Sequence, residues 1–140
     1  MDAVNEKILS EIKTSYGIAS AFEAWKQSGK DQDERMAFYQ SYLFDQLKKF
    51  DGSFQKTADI PVVLSGMVSS SIGMQELPYK ILPFRADGSD LVIQTITSGG
   101  DMPPQIIVSG ARSESDVIRG EETILAGCEI ETNDKEELFI

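Results

Sequence analysis

Between Asp33 and Phe50 the apolar residues Met36, Tyr39, Leu43, Leu47 and Phe50 recur at steps of three and four. That spacing lays one hydrophobic stripe along a helix. Asp31 or Asp33 suits its start, Lys48 and Lys49 complement the dipole at its end, and Gly52 supplies a stop. Phe38, Tyr42 and Phe44 widen the stripe as packing. They do not form a base-stacking platform, because no basic residues interleave with them. The run "IPVVLSGM" at 60–67 is short, continuous and β-branched, with a proline before it and a Gly/Ser turn after it. It predicts a strand buried on both faces. "LVIQTI" (91–96) and "PQIIVSG" (104–110) predict two further strands joined by the turn cluster "TSGGDMP". Ile124, Leu125 and Cys128 stand at helical spacing within a helix expected from Gly120 to about residue 130, and "EELFI" at 136–140 reads as the start of a strand. The stretch "EKILSEIKTSY" at 6–16 alternates without sorting cleanly and is expected to be an edge strand stopped by Gly17. A helix followed by a buried strand is the α/β pattern.

Composition narrows the chemistry. A chain of 140 residues, 41% hydrophobic and 26% charged, suits one globular domain. No apolar run reaches the roughly 18 residues a membrane span needs, and the acidic N-terminus has no continuous apolar core of a secretory signal. Cys128 is the sole cysteine, which excludes an internal disulfide and suits a reducing compartment. The net charge of −10 and the scattered lysines and arginines argue against nucleic acid as a partner. The same charge repels small anions at long range, so an anionic ligand needs a local positive group, and Arg119 is one of few candidates. There is no histidine. That removes the commonest general base, the Ser-His and Cys-His nucleophiles and most zinc sites, and leaves carboxylates for any acid–base step.

Two constellations stand out. "LSGMVSSSIG", Leu64 to Gly73, lies beyond the carboxyl end of a predicted strand, where ligands of α/β proteins bind. Its glycines admit close backbone approach, and Ser69, Ser70 and Ser71 offer hydroxyls; a tight surface turn explains the same residues. It is not a phosphate-binding P-loop, since no Gly-Lys-Ser/Thr follows. The second is "RGEET", Arg119 to Thr123. Two acids in a helix's first turn are accounted for by the helix dipole alone. The functional alternative has one carboxylate accepting a proton while the arginine holds an anionic group bidentately. Spacing does not choose between them. The "DGS" triplets at 51–53 and 87–89 read as turns, and the acidic run "EIETNDKEEL" as a solvated loop without the spacing of a calcium site.

"PVVLSGMVSSSIGMQELPY" followed later by "VIRGEETILAG" resembles the 2-dehydro-3-deoxygalactonokinases (2-keto-3-deoxygalactonate kinases), sugar-acid kinases of the hexokinase/actin-like ATPase superfamily. Gly66, Met67, Ser70, Gly73, Glu76, Pro78, Tyr79, Arg119, Gly120, Glu121, Glu122 and Thr123 fit the family pattern. Met74 and Ile124 depart from it, standing where relatives usually carry tryptophan and glutamine.

The resemblance implies an α/β fold: a partial ribonuclease H-like domain with a mixed sheet and flanking helices, lacking the first strands. On this view residues 1–140 are one partial domain and the second kinase domain lies outside the chain. The Asp-x-Gly-Thr/Ser hairpin and second Gly-Thr turn that hold the nucleotide in such kinases are not found, so the isolated chain is expected to be inactive. A full-length relative would use ATP and magnesium to phosphorylate the terminal hydroxyl of 2-dehydro-3-deoxy-D-galactonate, in galactonate catabolism in the cytoplasm. Glu121 is expected as catalytic base with Glu122 as the alternative, and Arg119 as the ligand of the substrate's carboxylate or the migrating phosphoryl. Gly66, Met67, Ser70, Ser71 and Gly73 are expected to line the sugar pocket; no residues are assigned to nucleotide or metal. A different class of reading is a non-catalytic fragment that self-associates or completes its sheet with a partner chain through unpaired strand edges. An unrelated acidic interaction domain sharing short Gly/Ser turns is a third.

Overall fold

A computed structural model describes residues 7–50, 60–97 and 102–127. Two helices open the described chain. Helix α1 (Ile18–Gln27) is built from "IASAFEAWKQ", whose three alanines favour helix and whose Ile18, Ala21, Phe22 and Trp25 fall on one side. Gly17 is its N-cap, in extended backbone, so this glycine begins a helix instead of ending a strand. The edge strand expected at 6–16 is absent among the described residues: Lys7 makes an isolated bridge and residues 8–14 take no regular structure. A single 3₁₀ turn (Gln32–Glu34) leads into α2 (Arg35–Leu47), as the apolar spacing predicts. Glu34 Oε2 accepts the Asp31 N–H at 3.1 Å, one arm of a capping box.

Strands β1 (Val62–Leu64), β3 (Ile93–Ile96) and β4 (Gln105–Val108) form a mixed sheet in the order β1-β4-β3. β1 runs parallel to β4, and β3 antiparallel to it. A second, smaller sheet is made of β2 (Lys80–Ile81), β5 (Ala111–Arg112) and β6 (Val117–Ile118), in the order β2-β5-β6. The short helix α3 (Glu121–Ala126) follows. It ends at Gly127, earlier than the pattern predicts; Cys128, the acidic run, "EELFI", Gly52 and the first "DGS" lie outside the described residues.

The core sits between the helices and one face of the first sheet. Ala21, Tyr39, Val68, Met74, Leu77 and Ile107 are buried together, with Leu64 and Ile96 packed against them. Gln105, wholly buried, accepts a 2.8 Å bond from Gln40 Nε2 and donates to the Pro103 carbonyl, so its amide is satisfied. β1 is not buried on both faces as its composition predicts. Val63 sits opposite Ile106, and Ile106 opposite Thr95, on the side that α1 and α2 do not cover. Val63 is 60% exposed and Ile93, on the same side, 56%.

The second "DGS" forms the expected turn. Gly88 has φ +67°, and Asp87 Oδ1 accepts the Ser89 N–H at 3.0 Å. A Cβ on Gly88 would lie 3.1 Å from that of Ala126, so the turn packs on the end of α3. The bonds from Ser89, backbone first, and then from Arg85 lower the Asp87 pKa from 3.8 to about 2. A depressed carboxyl pKa stabilises the turn fully above the unfolded value, and that contribution fades as pH falls through 2. A carboxyl chemical-shift titration is expected to put the Asp87 midpoint near 2. A midpoint at the ordinary 3.8 would show that the turn does not hold its carboxylate this way.

Candidate active site

Strand β1 ends at Leu64 and releases the chain into Ser65 and Gly66. Gly66 has φ +86°, a conformation that glycine alone adopts without strain. It starts the 3₁₀ turn Met67–Ser69, and the loop then folds on itself. Ser70 Oγ donates to the Met67 carbonyl at 2.8 Å, Ser69 Oγ to that of Gly66 at 3.3 Å, and the Gly73 N–H to that of Ser70 at 2.8 Å. Helix α2 grips the outside of the loop. Arg35 Nη2 donates to the carbonyls of Ser71 and Gly73, each at 2.6 Å, and Tyr39 Oη to that of Ile72, also at 2.6 Å. The Arg35 guanidinium in turn lies near the rings of Trp25, Phe22 and Tyr39.

"RGEET" forms the other wall. Strand β6 delivers Arg119, Gly120 takes φ +104°, and α3 begins at Glu121. The adjacent glutamates part company there. Glu122 is wholly buried, with both carboxylate oxygens on the Gly120 N–H at 2.9 and 2.7 Å. Glu121 is exposed, with Oε2 accepting the Arg119 backbone N–H at 2.8 Å. Thr123 Oγ1 donates to the Gly120 carbonyl at 2.8 Å and closes the turn. The Arg119 side chain has no carboxylate partner among the described residues, although two glutamates follow it in sequence. Its Nε donates instead to Tyr79 Oη at 2.5 Å.

The two walls meet at their glycines: a Cβ on Gly120 would stand 3.6 Å from the Gly66 Cα. Beside that contact opens a cleft of about 490 Å³ lined by Ser65, Gly66, Arg119, Gly120, Glu121, Thr123 and Ile124. Of the residues singled out from sequence, the structure therefore brings Gly66, Arg119 and Glu121 to one cleft. Met67, Ser70, Ser71, Gly73 and Glu122 do not line it: Ser70 and Gly73 are buried in the loop, Met67 and Ser71 are exposed, and Glu122 lies beneath Gly120. Ser65 and Arg35 escape the sequence, and Tyr79 enters there as part of the family pattern without a role at the site. Ser65 looks like part of a turn and Arg35 like an ordinary charge at a helix start, whereas the role of Tyr79 depends on strand pairing that no local signal announces. A separate apolar cavity of about 220 Å³ lies between α2 and the 64–74 loop, lined by Tyr39, Tyr42, Leu43, Leu64, Val68 and Met74 among others.

A family model described as 2-keto-3-deoxy-galactonokinase matches residues 4–140. The chain belongs to the 2-keto-3-deoxy-galactonokinase family. No curated protein matches it. Membership implies a sugar-acid kinase, and the α/β architecture with mixed sheets and helices is compatible with a kinase-like fold. No helix among the described residues is long and apolar enough to cross a membrane. No group of three or more His, Cys, Asp or Glu among the described residues could hold a metal ion. Among the described residues Glu121 is the one carboxylate on the cleft, and Glu122 is turned onto the backbone. Among the described residues, that donor set does not by itself make up a magnesium site.

Proposed function

We propose that the cleft at 119–124 holds 2-dehydro-3-deoxy-D-galactonate for phosphoryl transfer from ATP to its terminal hydroxyl, within a ribonuclease H-like kinase domain. The observation that carries this reading is an arginine without an ion-pair partner among the described residues, on an open cleft, in a chain of net charge −10. An arginine placed among acids ordinarily takes one as a partner; Arg119 is kept from both. It meets a substrate carboxylate or the migrating phosphoryl through charge-assisted hydrogen bonds. Glu121, pinned by the Arg119 N–H, orients the attacking hydroxyl and accepts its proton as the new O–P bond forms and the bond from the γ-phosphorus to the β–γ bridging oxygen breaks, releasing ADP. Glu122 holds the turn that aims them both. Magnesium would arrive with the nucleotide's phosphates.

Calorimetric titration of the chain with the sugar acid tests this. Binding is expected, with Arg119→Gln weakening it by about 10- to 150-fold, as loss of hydrogen bonds from a charged group does. Equal affinity in the two proteins, or no binding by either, would overturn the reading.

A further inference from the structure

The register of the second sheet places three residues in one row. β2 and β5 pair Lys80 with Ala111, and β5 and β6 pair Ala111 with Ile118. One step along, at the end nearest the cleft, the row continues as Tyr79, Gly110 and Arg119. The middle member has no side chain. A Cβ on Gly110 would meet the Ile118 carbonyl oxygen at 2.4 Å, Arg119 Cγ at 3.1 Å and a Tyr79 ring carbon at 3.1 Å. The outer two therefore close over the glycine and touch. Arg119 Nε donates to Tyr79 Oη at 2.5 Å, and the guanidinium carbon lies 5.0 Å from the centre of the Tyr79 ring. One tyrosine thus contacts the guanidinium both by its hydroxyl and by its ring.

We infer that Tyr79, seated against Gly110, is a positioning residue that presents the end of the Arg119 guanidinium to an anionic group in the cleft. This rests on the reading of Arg119 as the anion's ligand. A guanidinium offers a carboxylate two edges, one using Nε–H and one using the pair of terminal nitrogens. The Tyr79 hydroxyl occupies Nε–H and leaves the terminal pair. A side chain otherwise free to rotate is thereby held in one pose before the ligand arrives, which lowers the ordering cost of binding. The same contact bears on specificity. An end-on fork matches two carboxylate or phosphoryl oxygens, whereas a carboxamide offers one acceptor and a repelling NH₂.

The test is calorimetry with the sugar acid and with its carboxamide, on the unsubstituted chain and on Tyr79→Phe, Arg119→Lys, Arg119→Gln and the Tyr79→Phe/Arg119→Lys pair. Tyr79→Phe keeps the ring and removes the acceptor. It is expected to weaken the acid by about three- to ten-fold while leaving the carboxamide unchanged. Lysine has no Nε fork for Tyr79 to hold, so Tyr79→Phe is expected to cost nothing further in the Arg119→Lys background. An equal loss for acid and carboxamide, or an undiminished Tyr79→Phe effect in the lysine background, would show a merely structural tyrosine and overturn the proposal. Full acid affinity in Tyr79→Phe alongside a large loss in Arg119→Gln would overturn the positioning role and leave Arg119 as the ligand. No loss in Arg119→Gln sinks the reading on which both stand.

Discussion

Gly73→Ala is expected to lower the thermal midpoint by about 10–15 °C, the largest effect of a methyl group added at any of the described glycines, from a cost of about 3–5 kcal/mol. The added carbon would lie 2.1 Å from the Val68 carbonyl oxygen and 2.4 Å from that of Met67. Those neighbours are backbone atoms of the 3₁₀ turn, so no side-chain rotation relieves the overlap. The turn must move, and with it the Gly73 N–H bond to Ser70 and the Arg35 bond to the Gly73 carbonyl. Circular dichroism melting of the variant checks this. A midpoint within a degree or two of the parent would mean that the loop is not packed as described.

The second large effect concerns rate. In a chain competent for phosphoryl transfer, Glu121→Gln is expected to reduce kcat by about 10²- to 10⁴-fold, the usual contribution of a general base. The fold should survive, because Glu121 is exposed and its side-chain bond among the described residues, from the Arg119 N–H, is one that glutamine's oxygen can also accept. Glu122→Gln is expected to keep most of its turnover, since a glutamine oxygen can still accept the Gly120 N–H. Glu122→Ala, by contrast, strips a part-buried donor of its acceptor and is expected to cost about 1–3 kcal/mol of stability. Phosphorylation of the sugar acid, measured beside a melting curve for each variant, separates the two glutamates. Full turnover in Glu121→Gln, or a folded Glu122→Gln with equally little turnover, would exchange or abolish their assigned roles.

How far the sequence reveals this arrangement depends on the length of each element. Helix α2 is legible because its apolar residues repeat over several turns, which few other structures would produce. Helix α1 is hidden by its flanks: Gly17 reads as a terminator, and alternation upstream of it imitates a strand. β1 is legible as a strand but not in its burial, because a β-branched run does not say whether one face or two will be covered. "RGEET" is visible as a motif, yet successive residues on a helix point about 100° apart. That rotation sends Glu122 inward and Glu121 outward, and nothing in a Glu-Glu pair says which is which. The serines of the 66–73 loop display hydroxyls without displaying their direction. In a 3₁₀ turn the carbonyl three residues back is the nearest acceptor, and Ser69 and Ser70 take it. The Tyr79–Gly110–Arg119 row is illegible for a different reason. Two-residue strands are too short to carry a period, and their pairing joins residues far apart in the chain.

Gly66 and Gly120 give the cleft a floor of bare backbone, each in a conformation closed to ordinary side chains. Such a floor cannot be retuned by substitution, since almost any new residue there is rejected before its chemistry matters. On the proposed reading Arg119 and Tyr79 are committed to the carboxylate, and preference among sugar configurations is adjustable from the rim, at Ser65, Thr123 and Ile124. A library aimed at a differently configured sugar acid should vary those three positions and leave both glycines untouched.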